Sequence, residues 1–363
     1  QATPHLELLI LNDPTDRRLE QSLLLVGHGY RATGRHGRAA ASFRAASRIT
    51  THAESRRLSL FYLGESLYAL GDYTAALSAY RELEREYEPS WRLYFALAQT
   101  QLQLEDLPGA AASLARAAEL GDGAWRGRVR YWLGRVLVAL GDYPAALEAY
   151  SLALADSPAG LEAEVLYERG LVLCALNDYA EAADNLRDAL GWKEFEPERD
   201  AVARYYLAYA LYRAGEHAAA ESVAAGLADD PRWGEAARWL LAEAAYAGGD
   251  YAVGAEVFTL LAGSGGRDAD VAMFKAGLCR YLQGDYRAAE GCFAALAEPA
   301  GPAAYWRGMA LLRQGRTDEA AGLLEEVADG AGELADDALL ELARLFYRKG
   351  EPARAVERFS EYL

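Results

Sequence analysis

A three-residue break recurs through this chain at a spacing that a fold with a single closed core does not need. It reads Gly71-Asp72-Tyr73, Gly141-Asp142-Tyr143, Gly249-Asp250-Tyr251 and Gly284-Asp285-Tyr286. Altered forms begin at Gly34, Glu105, Asn177, Gly215, Gly315 and Gly350, and successive breaks lie 31–38 residues apart. Before each break runs a stretch with helical apolar periodicity; after it comes a second run that opens on small residues. The pattern predicts two helices joined by a tight turn, ten times over. Such an array is all-α, and each hairpin buries its apolar face on the next.

Composition narrows the function classes. The 363 residues include only 11 prolines, and no stretch alternates apolar and polar residues as a half-buried strand would. A formal charge of −17 argues against nucleic acid as a partner, because neutralising phosphates takes a basic stripe. The longest apolar runs, Leu6–Leu11 and Leu23–Val26, fall far short of the ~18 residues a bilayer requires, so no membrane span is expected. Cys174, Cys279 and Cys292 have no metal-site spacing. Buried free thiols are the expected state, and a Cys279–Cys292 bond within one hairpin is the alternative. The chain opens on Gln1, which is compatible with a removed leader.

Residues at fixed offsets from the break sharpen the pattern. In the segment opening near Gly127 the first helix carries Leu133, Gly134 and Leu137; the second carries Ala146, Tyr150 and Ala153 before Pro158. Equivalent sets are Leu63, Gly64, Leu67, Ala76, Tyr80 and Leu83; Gly170, Leu173, Ala182, Leu186 and Ala189; Gly277, Ala289, Phe293 and Leu296; and Gly308, Leu311, Ala320, Leu324 and Val327. With these residues the chain resembles the tetratricopeptide repeat (TPR) family. The resemblance implies an all-α fold, a right-handed superhelix (solenoid) of about ten helix-turn-helix repeats, covering residues 20–363. Repeats then start near residues 20, 57, 91, 127, 163, 201, 235, 270, 301 and 336, with residues 1–19 as a half-repeat or capping helix. Thr3-Pro4 reads as the start of that helix, over Pro4–Leu11.

The physics of these positions stands without the family name. A glycine inside the first helix lets the second approach closely, and the large residue eight positions into the next run (Tyr80, Tyr150, Phe258, Phe293, Phe359) fills the space between hairpins. The chain stops at Leu363 with no polar cap after the last second helix. The expectation is a longer array, or a terminus that docks on another chain, self-association included. Two connections depart from the regular spacing: residues 190–200, with Trp192 and Phe195 at a projecting tip, and the glycine-rich residues 263–268.

Apparent chemical motifs dissolve in this register. Gly27-His28-Gly29-Tyr30-Arg31-Ala32 mimics a dinucleotide fingerprint but lies inside a helix with no strand before it. The five histidines are scattered, and no nucleophile elbow or phosphate loop occurs. No catalytic residue, cofactor or metal is expected. Paired acids such as Asp229-Asp230 and Asp336-Asp337 are read as helix-start charges.

In the family the first helices line a concave face. The positions equivalent to Phe61 carry Phe61, Phe95, Tyr131, Tyr167, Tyr205, Trp239, Phe274 and Tyr305; those equivalent to Tyr68 add Tyr68, Tyr212, Tyr246, Tyr281 and Tyr347. The densest group is Trp239 with Tyr205, Tyr209, Tyr212 and Tyr246, which makes it the leading candidate site. Arg31, Arg92, Arg128, Arg135, Arg213, Arg313, Arg344 and Arg348 share that face with Glu65, Glu164, Glu243 and Asp337, so it is locally basic in an acidic protein. The expected role is a non-enzymatic scaffold that binds an extended or helical protein segment there. The alternative is a carbohydrate-binding module whose rings stack on sugars and whose arginines meet anionic groups. Aromatics or aliphatics stand where chaperone-tail binders of the family need a Lys/Asn clamp, so that ligand is not expected. The regular breaks and aromatic content look like bacterial envelope members of the family, so the expected setting is periplasmic rather than cytoplasmic.

Overall fold

The computed structural model describes residues 19–50, 52–156, 160–192, 197–266, 268–296, 301–330 and 332–363. The helix expected over Pro4–Leu11 and the ring of Phe195 lie outside the described residues. Within them, twenty helices follow one another in pairs: α1 (Leu19–Ala32) and α2 (His36–Ile49); α3 (Ala53–Ala69) and α4 (Tyr73–Glu86); α5 (Trp91–Gln103) and α6 (Leu107–Leu120); α7 (Gly123–Leu140) and α8 (Tyr143–Ala155); α9 (Glu162–Ala175) and α10 (Tyr179–Gly191). The remainder are α11 (Pro197–Ala214) and α12 (His217–Ala225); α13 (Gly234–Gly248) and α14 (Tyr251–Gly263); α15 (Ala269–Gln283) and α16 (Tyr286–Ala294); α17 (Pro302–Arg313) and α18 (Thr317–Ala328); α19 (Ala335–Arg348) and α20 (Pro352–Tyr362). Odd numbers are first helices, even numbers second helices.

The sequence suggests a single array over 20–363, whereas the contacts group into two compact units. Residues 1–178 and 191–194 form the first, 179–190 and 195–363 the second. The first unit thus holds four hairpins and α9; the second holds nearly all of α10 and five hairpins. Inside each unit a helix packs mainly on its neighbours in sequence, as expected of stacked repeats.

Each residue of the Gly-Asp-Tyr break has its own task. Gly141, at φ 79°, turns the chain out of α7 in a left-handed conformation open to glycine without strain. Asp142 then caps α8: its carboxylate accepts the Ala145 N–H at 3.2 Å, and Asp72, Asp106, Asp250 and Asp285 do the same for their helices. In three of the four breaks the tyrosine stacks edge-on against the tyrosine near the end of the first helix. Tyr68–Tyr73, Tyr246–Tyr251 and Tyr281–Tyr286 have ring centroids 5.2, 5.9 and 5.3 Å apart. Where the break lacks glycine the same bend persists at Glu105 (φ 59°) and Asn177 (φ 64°); asparagine tolerates that conformation better than glutamate.

The seam inside each hairpin follows the glycine rule. A methyl group on Gly134 would stand 2.5 Å from the Tyr150 ring, one on Gly277 2.6 Å from the Phe293 ring, and one on Gly27 2.7 Å from the Phe43 ring. Gly27 is therefore a packing residue of α1, and the dinucleotide-like motif is helical throughout. Tyr80, Tyr150, Phe258 and Phe293 are fully buried. Phe359 departs from the expectation and is 37% exposed; among the described helices α20 packs mainly on α19. Asp156, just past α8, ties the fourth hairpin: it accepts bonds from Arg126 Nε and Nη2 and from Arg130 Nη1, at 2.5–3.1 Å.

Candidate functional site

Direction along a first helix is set by periodicity, but depth is set by what the neighbours cover. In the first unit Phe61, Tyr68 and Phe95 are half-buried. Tyr131 (4% exposed) and Tyr167 (7%) are buried, which removes them from any binding surface. Tyr131 leans on Tyr150 in its own hairpin and shares a core with Val165 and Val172 of α9. Trp132, one residue on, takes the exposed place, 37% accessible, with the Arg135 guanidinium 4.9 Å above its ring.

Two cavities open on this face of the first unit. One, of about 210 Å³, is lined by Tyr68, Phe95, Gln99, Leu102, Leu114 and Trp132, among others. The second, about 350 Å³, lies between Leu58, Phe61 and Tyr62 of α3 and Trp91 and Arg92 of α5. At its rim Trp91 pairs with Trp125 at a centroid distance of 5.2 Å and a tilt of 31°. Trp125 is half exposed, and Arg92 and Arg128 lie 5.4 and 5.5 Å from the two rings. A hollow on the opposite, second-helix side of α4 is lined by Thr74, Ser78, Arg81, Glu84 and Arg85, with only Leu77 apolar.

In the second unit Tyr205, Tyr209, Tyr212, Trp239 and Tyr246 do gather, half-buried, against one core that includes Phe258 and Cys279. Much of their ring surface is spent inside the array. Trp239 meets Phe258 edge-on at 5.8 Å, Tyr205 faces Trp233 at 4.9 Å and Tyr212 lies against His217. Phe274 leans on Phe293, while Tyr305 and Tyr281 both touch Trp306. The open cavity here, about 680 Å³, is further along: Met309, Leu312 and Arg313 of α17, Glu341, Arg344, Tyr347 and Arg348 of α19, and Phe359 of α20. Tyr347 is 73% exposed.

The arginines of the first-helix face are held in an unusual way. Arg31 pairs with Glu65 and Arg344 with Glu341, and Lys275 neutralises Glu243. The other six have no carboxylate partner among the described residues. Arg92, Arg128 and Arg135 lie over tryptophans. Arg213 lies over Tyr179 at 4.5 Å and donates to the Tyr209 hydroxyl at 2.6 Å. Arg313 donates to the Tyr281 hydroxyl, which raises its pKa, and Arg348 donates to the Arg344 carbonyl. Rings and neutral oxygens position these cations without cancelling their charge.

Sequence reasoning missed Trp91, Trp125, Trp132, Trp233 and Trp306. All lie beside the inward positions rather than on them, and the Trp-Arg dipeptides (Trp91-Arg92, Trp125-Arg126, Trp306-Arg307) mark three of the five in the sequence. Burial pushes the Cys174 and Cys279 thiols up to about 11, so they stay protonated at neutral pH and lack thiolate reactivity. All three cysteines are free, Cys279 and Cys292 included. No group of three potential metal ligands occurs among the described residues, and none of their helices is long and apolar enough to cross a membrane.

Comparison with known proteins bears on the fold. A family model described as tetratricopeptide repeat matches residues 24–88, 61–125, 95–160, 131–197, 274–333 and 305–363, and a second of the same description matches 201–225. Residues 226–273, which contain the α13–α14 hairpin, lie outside these spans, although that hairpin has the same turn and cap; Ala242 stands there at the close-packing position. Nothing among curated protein sequences matches. Solved structures with similar folds include MamA, 20% identical over 46% of this chain and 93% of its own, TM-score 0.41. YrrB, described as a TPR protein with an unusual peptide-binding site, is 18% identical over 51% of this chain and 91% of its own, TM-score 0.43. A tetratricopeptide repeat protein from Parabacteroides merdae is 17% identical over 71% and 98%, TM-score 0.42. With the family pattern covering most of the sequence and its turns, caps and glycine seams all in place, the chain belongs to the tetratricopeptide repeat family, in general a non-catalytic fold that serves as a protein-interaction scaffold.

Proposed function

We propose that this scaffold holds a segment of a protein partner against the first-helix face of its repeats. The observation that carries the reading is the set of six arginines held by rings and neutral oxygens. Three of them, Arg92, Arg313 and Arg348, line cavities with aromatic and aliphatic walls, and Arg135 lies over Trp132 of a third. Arg, Trp and Tyr are the residues in which binding energy concentrates at protein interfaces. The hollow on the second-helix side of α4 is polar and offers no such anchors. A photo-crosslinking amino acid placed at Leu102 or Leu312, against one at Glu256 or Arg287 on second helices, tests the assignment in extracts of the source cells. Adducts confined to the first pair are expected. Equal labelling from both faces would move the function elsewhere.

A second reading is favoured by one feature only. The Trp91–Trp125 pair, flanked by Arg92 and Arg128, presents exposed aromatic surface beside cations, the chemistry that an anionic sugar ring would use. Titration of tryptophan fluorescence with uronate-containing and neutral oligosaccharides discriminates. A saturable change for the uronates alone supports a glycan ligand, and no saturable change for any sugar removes it.

A further inference from the structure

The cavity between α17, α19 and α20 is chemically lopsided. Its walls are Met309, Leu312, Tyr347 and Phe359, and three guanidinium groups, Arg313, Arg344 and Arg348, stand around it. Glu341 is the one acid in the lining; it is mostly buried and already bonded to Arg344 at 2.5 Å. Arg313 uses its Nε on Tyr281 and Arg348 its Nε on the Arg344 carbonyl. The terminal nitrogens of both have no protein partner among the described residues. Two unoccupied guanidinium ends beside an apolar hollow, in a protein of charge −17, form a local exception to the sign of the whole molecule.

We infer that this cavity takes an acidic peptide segment in which carboxylates flank an aliphatic or aromatic side chain. The carboxylates dock on the terminal nitrogens of Arg313 and Arg348, for which a guanidinium fork offers paired N–H donors. The apolar side chain enters between Tyr347 and Phe359. Charge complementarity selects this occupant over a basic or neutral segment, since a basic one would meet uncompensated arginines. The apolar walls select against a sugar, whose hydroxyls would find no partners on Met309, Leu312 or Phe359. Tyr347, at 73% exposed, is a large ring spent on no core and so is available to cover the ligand. The inference rests on the first-helix reading of function and adds the partner's chemistry to it.

The probe is a fluorescein-labelled twelve-residue peptide that alternates Glu with Leu and Phe, measured by anisotropy against the full chain. Two control peptides replace Glu by Gln, or Leu and Phe by Ser. Saturable binding is expected for the first, with each control at least about tenfold weaker. The double variant Arg313→Glu, Arg348→Glu should lose binding by a similar factor. Both positions are exposed, so unchanged circular dichroism and thermal transition are expected of it, and Arg348→Gln should give an intermediate loss. No binding of the Glu peptide, or equal binding of the Gln peptide, overturns the inference. If adducts still form at Leu102 or Leu312 in that case, the first-helix reading survives and only the acidic chemistry fails; if they form at neither, both fail. Concentration-dependent self-association that the double variant abolishes would show a second copy of the chain as the occupant, and would equally overturn the proposal.

Discussion

The same residue type does opposite things at two positions of the repeat, in the fourth hairpin and in the tenth. In the seam between first and second helices, Tyr150 is fully enclosed against Gly134. On the first-helix face Tyr347 is almost free of neighbours. The first ring is spent on folding, and the second is left over for something else. A stability measurement and a binding measurement should therefore separate the two regions cleanly, and each substitution below is a way to break that separation.

The largest effect belongs to the seam. Tyr150→Ala should cost about 3–5 kcal/mol by removing a buried ring that its surroundings cannot replace. Chemical denaturation of the full chain measures it, and a loss below about 1 kcal/mol would mean the seam can collapse around the gap. Gly134→Ala comes next, at about 1–3 kcal/mol, since its methyl would be driven into the Tyr150 ring.

Asp156 extends the comparison to charge. The Arg126 and Arg130 guanidiniums, the bond to Arg126 foremost, hold its carboxyl below the usual carboxylate range. Asp156→Asn should cost about 2 kcal/mol at neutral pH. A carboxylate whose pKa is depressed by folding stabilises the fold above the ordinary value of about 3.9 and loses that contribution as pH falls through the lowered one. The gap between wild type and variant should thus close in acid. Hydrogen exchange of α7 and α8 at pH 7 and pH 3 reads it directly, and a gap independent of pH would show that the ion pair is not its origin.

Smaller effects sharpen the line. The Tyr150 hydroxyl is buried and makes no hydrogen bond, and Phe293 fills the equivalent place in the eighth hairpin. Tyr150→Phe should be neutral to stabilising by up to about 1 kcal/mol, as removal of an unsatisfied buried group predicts; a loss of thermal stability would show that the hydroxyl has found a partner. Tyr347→Ala should leave stability within about 0.5 kcal/mol while weakening the acidic peptide. A large thermal shift for Tyr347→Ala would erase the distinction between the two regions.

The seam was legible in the sequence because its determinants are local: a glycine, a small residue and a large ring at fixed offsets fold the same way in every copy. Gly64, Gly134 and Gly277 were read correctly as contact points for that reason. The binding face was legible only in direction. Phe61 and Tyr131 hold equivalent positions and lean on equivalent rings, Tyr80 and Tyr150, yet one stays half-exposed and the other is buried in a core shared with Val165 and Val172 of the next hairpin. That burial depends on residues more than thirty positions away. The Trp239 group is half-buried for a related reason: Phe258 and Trp233 take part of its ring surface. The rim tryptophans escaped because Trp91 and Trp125 precede the inward stripe, and their meeting depends on how two successive first helices are placed.

The Gly-Asp-Tyr trio at 71, 249 and 284 closes its hairpin with contacts made inside that hairpin: a left-handed bend, one capped amide and one ring pair. A chain built this way can gain or lose whole hairpins without solving any turn again. Its grip on a ligand is then counted rather than moulded: lengthening the bound segment takes one more copy of a unit that already folds, and changing what the segment must contain takes only new side chains on the odd-numbered helices.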